Sequence, residues 1–137
     1  MLRLSSSSYA GMVGHAYDGL PDEACGLLVG RLGTAGAGHV VRFEGTDNDA
    51  RSSKVYTIPP LAHLKIERAA EADGFEVLGV VHSHTHTDAY PSPTDIAQAP
   101  DPTWHYVIVS LRDEAPVLRS YRIVDGAVVE ERVVVVP

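Results

Sequence analysis

The stretch Phe75-Glu-Val-Leu-Gly-Val-Val-His-Ser-His-Thr-His-Thr-Asp-Ala-Tyr-Pro-Ser-Pro-Thr-Asp95 decides how the rest of the chain is read. Phe75 to His84 reads as a strand, and its unbroken apolar run Val77-Leu-Gly-Val-Val81 places it in the middle of a sheet with both faces covered. Side chains at i and i+2 of a strand share a face, so His82 and His84 point the same way where the strand emerges. Ser92-Pro93 has the pattern of an N-cap followed by proline at the first helical position. That pattern sets Asp95 in the first turn of a short helix within Pro91 to Ala99. The loop between lets this turn fold back toward the strand end.

Two imidazoles and one carboxylate converging in this way would hold a tetrahedral zinc ion and leave its fourth position open, as catalytic rather than structural sites do. Water at such an ion has its pKa lowered to about 7 and becomes a nucleophile, so peptide or isopeptide hydrolysis is the natural reaction. Each half of the pattern also has an ordinary reading. His-x-His at a strand end is by itself more often a packed or exposed pair, and Ser-x-x-Asp is also a capping box that satisfies a helix start. Their occurrence together behind an apolar strand favours the metal.

Working outward, Ser8 to Tyr17 reads as a helix with a serine cluster to cap it and Gly19-Leu20-Pro21 to end it. Glu23 to Gly30 reads as a strand, followed by a glycine-rich turn, Gly33 to Gly38, and an antiparallel partner, His39 to Phe43. The polar run Thr46 to Lys54 is a long loop of the kind that carries function. Pro60 to Asp73 has helical spacing and ends at Gly74. Strands are expected over His105 to Leu111, Val117 to Val124 and Ala127 to Val136, with Asp125-Gly126 as a tight hairpin.

A length of 137 residues fits one domain, 1–137, without internal repeats or linkers. Eleven Lys and Arg against eighteen Asp and Glu, with the cations scattered, argue against nucleic acid as a partner. No apolar run approaches the roughly 20 residues that span a bilayer. Met1 to Ser8 lacks the apolar core of a secretory signal, which points to the cytoplasm. Cys25 is the only cysteine, so a disulfide within the chain and a multi-cysteine metal cluster are both excluded. Inside an apolar strand it is read as a small buried side chain rather than a nucleophile.

His82-Ser-His84, seven residues, Ser92, two residues and Asp95 together resemble the signature of the JAMM (JAB/MPN-plus) metallopeptidases. Pro21-Asp-Glu-Ala-Cys-Gly-Leu-Leu28 resembles that family's early strand with its catalytic glutamate. The resemblance implies an α/β domain with a curved, mixed, mostly antiparallel sheet and flanking helices. It makes His82, His84 and Asp95 ligands of Zn2+, Glu23 the general acid/base, and Ser92 a hydrogen-bond donor to the developing oxyanion. Glu23 is chosen on resemblance alone, because Glu44, Glu67, Glu71 and Glu76 offer the same group.

Thr85-His-Thr-Asp-Ala-Tyr-Pro91, without the proline that many bacterial members carry after the second histidine, and Leu118 to Val128 look most like members of an actinobacterial cysteine-biosynthesis route. Those enzymes release cysteine from the carboxyl terminus of a small ubiquitin-like sulfur carrier. The implied partner is such a carrier–cysteine adduct, its tail lying beside a strand. An isopeptidase or processing protease for another ubiquitin-like protein fits the same motifs, and a catalytically silent scaffold is the remaining class. Both monomer and homodimer stay open. His86 reads as a loop residue beyond the ligand pair, Asn48 as ordinary surface bordering the site, and Trp104, His105 and Tyr106 as packing.

Overall fold

The computed structural model describes residues 1–137. One mixed sheet forms the body. Its strands are β1 (Leu2–Ser5), β2 (Cys25–Leu32), β3 (Gly38–Thr46), β4 (Glu76–His84), β5 (His105–Ser110), β6 (Val117–Val124), β7 (Ala127–Glu131) and β8 (Val133–Val136). They lie in the order β7-β6-β5-β4-β2-β3-β1-β8. β2 pairs antiparallel with both β3 and β4, as β6 does with β5 and β7, whereas β4–β5, β1–β3 and β1–β8 are parallel. The expectation of a mixed, mostly antiparallel sheet holds, and β4 is central as its apolar run required.

Three helices cover the sheet: α1 (Ser6–Asp18), α2 (Pro60–Ala72) and α3 (Pro93–Ala97). Ser5 caps α1 by accepting the Ser8 N–H at 3.0 Å. Met12 and Ala16, one turn apart on α1, join Leu2, Leu4, Leu28, Val40, Leu78 and Val107 in the core on one side of the sheet. The other side buries Leu27, Val80, Tyr106, Ile108, Tyr121 and Ile123, with Ile66 of α2 and Ile96 of α3 packed against them. Val80, His82 and His84 alternate along β4, so both imidazoles face this second side.

Three expectations need correction. The first strand was not foreseen: Leu2 and Leu4 are fully buried and Arg3 is exposed, a two-residue alternation too short to stand out in four residues. Glu23 precedes its strand, which starts at Cys25. Ala127 to Val136 is two strands rather than one. The chain leaves β7 at Glu131 and re-enters the sheet at Val133, at the opposite edge beside β1. One residue spans at most about 7 Å between its Cα neighbours. The sheet must therefore curl until its two edges meet at Arg132, whose carbonyl accepts the Leu2 N–H at 2.9 Å.

That seam contains a buried polar cluster. His105 has no exposed surface and its Nδ1 lies 2.6 Å from Glu131 Oε2, which also accepts the Ser120 hydroxyl at 2.7 Å. Burial alone would raise the Glu131 carboxyl, but the hydrogen bonds of His105 and Ser120 outweigh it and hold the group at about 2. At the Asp125-Gly126 hairpin both residues have positive φ, 50° and 79°, as the tight turn expected there requires.

Gly79 faces His105 across the β4–β5 ladder, and a Cβ there would lie 1.9 Å from the His105 carbonyl oxygen. Gly79→Ala should cost about 3 kcal/mol or more, as overpacking against backbone does. Gly14→Ala, in open space on α1, should instead gain about 0.5–1 kcal/mol. Chemical denaturation of both variants checks the contrast. Because the folded Glu131 carboxyl sits at about 2 against an ordinary 4.5, it contributes stability that is fully present above pH 4.5 and disappears as pH falls toward 2. In acid titrations, Glu131→Gln should be less stable than wild type near neutrality and should lose less stability across that window.

Candidate metal centre

β4 ends by presenting His82 and His84, and the chain then turns back through residues 85–92 into α3. Ser92 Oγ accepts the Asp95 N–H at 3.0 Å while Asp95 Oδ2 accepts the Ser92 N–H at 2.9 Å. The capping box is thus real, and so is the convergence. The same Oδ2 atom lies 3.1 Å from His82 Nε2 and 3.1 Å from His84 Nε2, which are themselves 3.1 Å apart. Two ring nitrogens and a carboxylate oxygen at the corners of an equilateral triangle fit a cation closely. A tetrahedral ion with ligands at 2.0–2.1 Å would have edges of about 3.3 Å.

The protonation of the triad supports that use. His84 Nδ1 donates to the Asp88 carbonyl at 2.7 Å, which directs the free lone pair of Nε2 into the triangle. Burial lowers His82 and keeps its ring neutral. Burial would also raise Asp95, but both imidazoles hold its carboxyl far below the usual carboxylate range. His84 is raised, because Asp95 and the Asp88 carbonyl outweigh the effect of burial.

Glu23 is 4% exposed and its Oε1 has no hydrogen-bond partner. Burial pushes its carboxyl up to about 8; the charge of His84 opposes the rise and that of Asp95 adds to it. A carboxyl that exchanges its proton near neutrality is suited to acid/base work. Its backbone is pinned on two sides. Ala24 donates its N–H to Ser83 Oγ at 2.7 Å and accepts the Ser83 N–H at 2.9 Å, which docks the segment against the residue between the two histidines. Across from this, Glu23 donates its N–H to the Ser52 carbonyl at 2.8 Å.

One opening reaches Asp95 and a second reaches Glu23. A groove of about 650 Å³ begins at Thr94 and Asp95 and runs past Tyr56, Ile58 and Val77 to Trp104. A second cavity of about 480 Å³ lies on the Glu23 side, lined by Asp18, Asp22, Asp47, Asp49 and Arg51 among others. Cys25 is buried, and burial pushes its thiol up to about 11, in keeping with a packing role. His86 is exposed, its ring pairing with the Thr85 hydroxyl at 2.7 Å. His105, Tyr106 and Trp104 are packed as expected, and Trp104 also lines the groove.

One residue was missed and another was read too plainly. Tyr56 stacks on His82 with ring centroids 4.3 Å apart and planes 20° from parallel. Asn48 is a structural tie rather than ordinary surface, with its amide bonded to the Glu23 and Val55 carbonyls at 3.0 Å each. Its bond to the Ala50 N–H, two residues on, is the local turn that an Asn in a polar loop signals. The reach to Glu23 has no such local mark.

Residues 5–124 match the family described as prokaryotic homologues of the JAB domain. The CysO-cysteine peptidase of Mycobacterium tuberculosis is 50% identical over 127 residues, 91% of this chain and 84% of that protein. The desampylase of Haloferax volcanii is 32% identical over 114 residues, 80% of each. A solution structure of a protein from Desulfitobacterium hafniense superposes with a TM-score of 0.91 at 34% identity, covering 98% of this chain and 92% of that one. With its histidine pair, capped aspartate and buried glutamate on one curled sheet, this chain belongs to the JAB-domain family.

Proposed function

We propose that the protein is a zinc-dependent peptidase that hydrolyses the bond between the carboxyl terminus of a ubiquitin-like sulfur carrier and cysteine. The observation that carries this reading is the triangle of His82, His84 and Asp95 donor atoms with 3.1 Å edges, beside a buried glutamate. Half of the aligned residues are shared with the CysO-cysteine peptidase, which supports the substrate class. No helix is long and apolar enough to cross a membrane, and a cytoplasmic site for a biosynthetic enzyme of this kind accords with that.

The residues divide the work as follows. His82, His84 and Asp95 hold the ion. When bound, zinc polarises the scissile carbonyl and makes water acidic enough to attack at neutral pH. Glu23 takes a proton from the attacking water as the new C–O bond forms. It then returns that proton to the departing cysteine nitrogen as the C–N bond breaks, leaving the carrier with a free carboxylate. Burial raises the proton affinity of this carboxyl above that of an ordinary glutamate, which suits it to hold the proton between the two steps. The Ser92 hydroxyl accepts from the Asp95 N–H, so its own hydrogen remains to be donated to the charge that develops on the carbonyl oxygen. The groove between Tyr56, Val77 and Trp104 takes the carrier's extended tail, and the cavity on the Glu23 side takes the leaving residue.

The desampylase relative favours a second reading, cleavage of conjugates of a ubiquitin-like modifier. Incubation with a carrier bearing carboxyl-terminal cysteine should release one cysteine by mass spectrometry, while an isopeptide-linked conjugate should stay intact; the reverse pattern selects the second reading. Purified protein should contain one zinc per chain. Glu23→Gln should retain that zinc while kcat falls by about 10²- to 10⁴-fold. A Glu23→Gln protein with wild-type turnover would remove the acid/base assignment.

A further inference from the structure

The two halves of the site come from distant parts of the chain, and one side chain touches both. Asn48 uses its full hydrogen-bonding capacity. Its amide nitrogen donates to the Glu23 carbonyl and to the Val55 carbonyl, each at 3.0 Å. Its amide oxygen accepts the Ala50 N–H at 3.0 Å and the Thr57 N–H at 2.9 Å. Val55 and Thr57 are the neighbours of Tyr56 on either side, and Tyr56 is the ring stacked on His82. The Asn48 amide therefore reaches the proposed acid/base through one bond and brackets the residue that steadies a proposed metal ligand through two others.

We infer that Asn48 is a positioning residue that sets the Glu23 carboxyl and the His82 imidazole relative to one another. The inference rests on the reading of Glu23 as the acid/base. The Glu23 carboxyl has a buried oxygen with no partner of its own, so its side chain is not fixed by hydrogen bonds at that end. Its place is set by its backbone, and the backbone is held by the Ser52 carbonyl, by Ser83 through Ala24, and by Asn48. Of the contacts made by the loop, only that of Asn48 is a side-chain bond to Glu23. Displacements of about 1 Å in a reacting group can cost about 10²-fold in rate, so a tie of this kind acts on turnover more than on binding.

Substitution can separate the two sides of the amide. Asn48→Asp keeps an oxygen for the Ala50 and Thr57 N–H groups but loses both donor bonds and sets a carboxylate against two carbonyls. Asn48→Ala loses all four bonds. Lys54→Ala is the control for a substitution in the same loop, because the Lys54 side chain is exposed and takes part in no hydrogen bond or ion pair.

With a carrier bearing carboxyl-terminal cysteine as substrate, Asn48→Asp and Asn48→Ala should lower kcat by about 10- to 100-fold with KM within about threefold of wild type. Lys54→Ala should stay within about twofold in both. In proton NMR of the metal-free protein, the His82 ring protons should show an upfield ring-current shift from Tyr56 that Asn48→Ala diminishes. Wild-type kcat in Asn48→Asp, alongside an inactive Glu23→Gln protein, overturns the inference while leaving the acid/base role intact. An active Glu23→Gln protein strikes at that role instead, and the ring-current shift then decides the His82 arm alone. If Asn48→Ala does not fold, Asn48→Asp decides; if neither folds, Asn48 holds the fold rather than the site and the inference fails.

Discussion

Asp95 Oδ2 is the atom on which the site turns. It accepts the Ser92 N–H at 2.9 Å and stands 3.1 Å from each of the two imidazole nitrogens, so a helix cap and the third corner of the triad are one atom. α3 has only five residues, far fewer than a helix needs to persist by itself. It is held by the capping box, by Pro93 at its first position and by Ile96 in the core under the second face. A carboxylate at a helix start is favoured by the dipole there, which lowers the cost of keeping Asp95 ionised while mostly buried. The local rule that starts the helix therefore also aims the carboxylate at the two imidazoles.

Strand direction supplies the rest. β2 runs antiparallel to β4, so the start of β2 lies at the end of β4, with Cys25 opposite His82. Glu23, two residues before Cys25, arrives at the histidines for that reason, although Ala24 and its partner Ser83 are 59 residues apart in the chain. β5 runs parallel to β4 and ends at Ser110, opposite His84. Its hydroxyl donates to the Thr87 carbonyl at 2.6 Å and steadies the turn between β4 and α3. Three strand ends and one helix start thus meet at one end of the central strands, beside the triad.

Much of this was legible in the chain because the signals were local. The apolar run of β4, the i and i+2 spacing of its histidines, the Ser-Pro helix start and the Asp-Gly turn each act over a few residues, and the structure bears each of them out. The position of Asp95 required only that the loop after β4 be short enough to fold back. Long-range effects were hidden. Splitting Ala127 to Val136 depends on the sheet curling until its edges meet at Arg132, which leaves no trace in the alternation of valines on either side. β1 was invisible because a four-residue strand between two others has no pattern beyond Leu2 and Leu4. The tie from Asn48 to Glu23 joins positions 25 residues apart, and the stack of Tyr56 on His82 is likewise a contact that local pattern does not encode.

Burying the Glu23 carboxyl has a cost. A buried carboxyl oxygen without a partner carries a desolvation cost of about 1–3 kcal/mol, and Glu23 Oε1 is such an atom. Other buried polar groups are paired at least in part: Ser120 and His105 share Glu131 Oε2, and the Tyr121 hydroxyl donates to the Ala89 carbonyl. Leaving Glu23 unpaired keeps its carboxyl free and raises its proton affinity toward neutrality, whereas a full set of donors would hold it as an inert anion like Glu131. The same side-chain type thus has two opposite environments in one domain. Glu131 is pinned by hydrogen bonds and serves the seam of the sheet; Glu23 is pinned only through its backbone, which leaves its carboxyl free to exchange a proton as the proposed acid/base role requires.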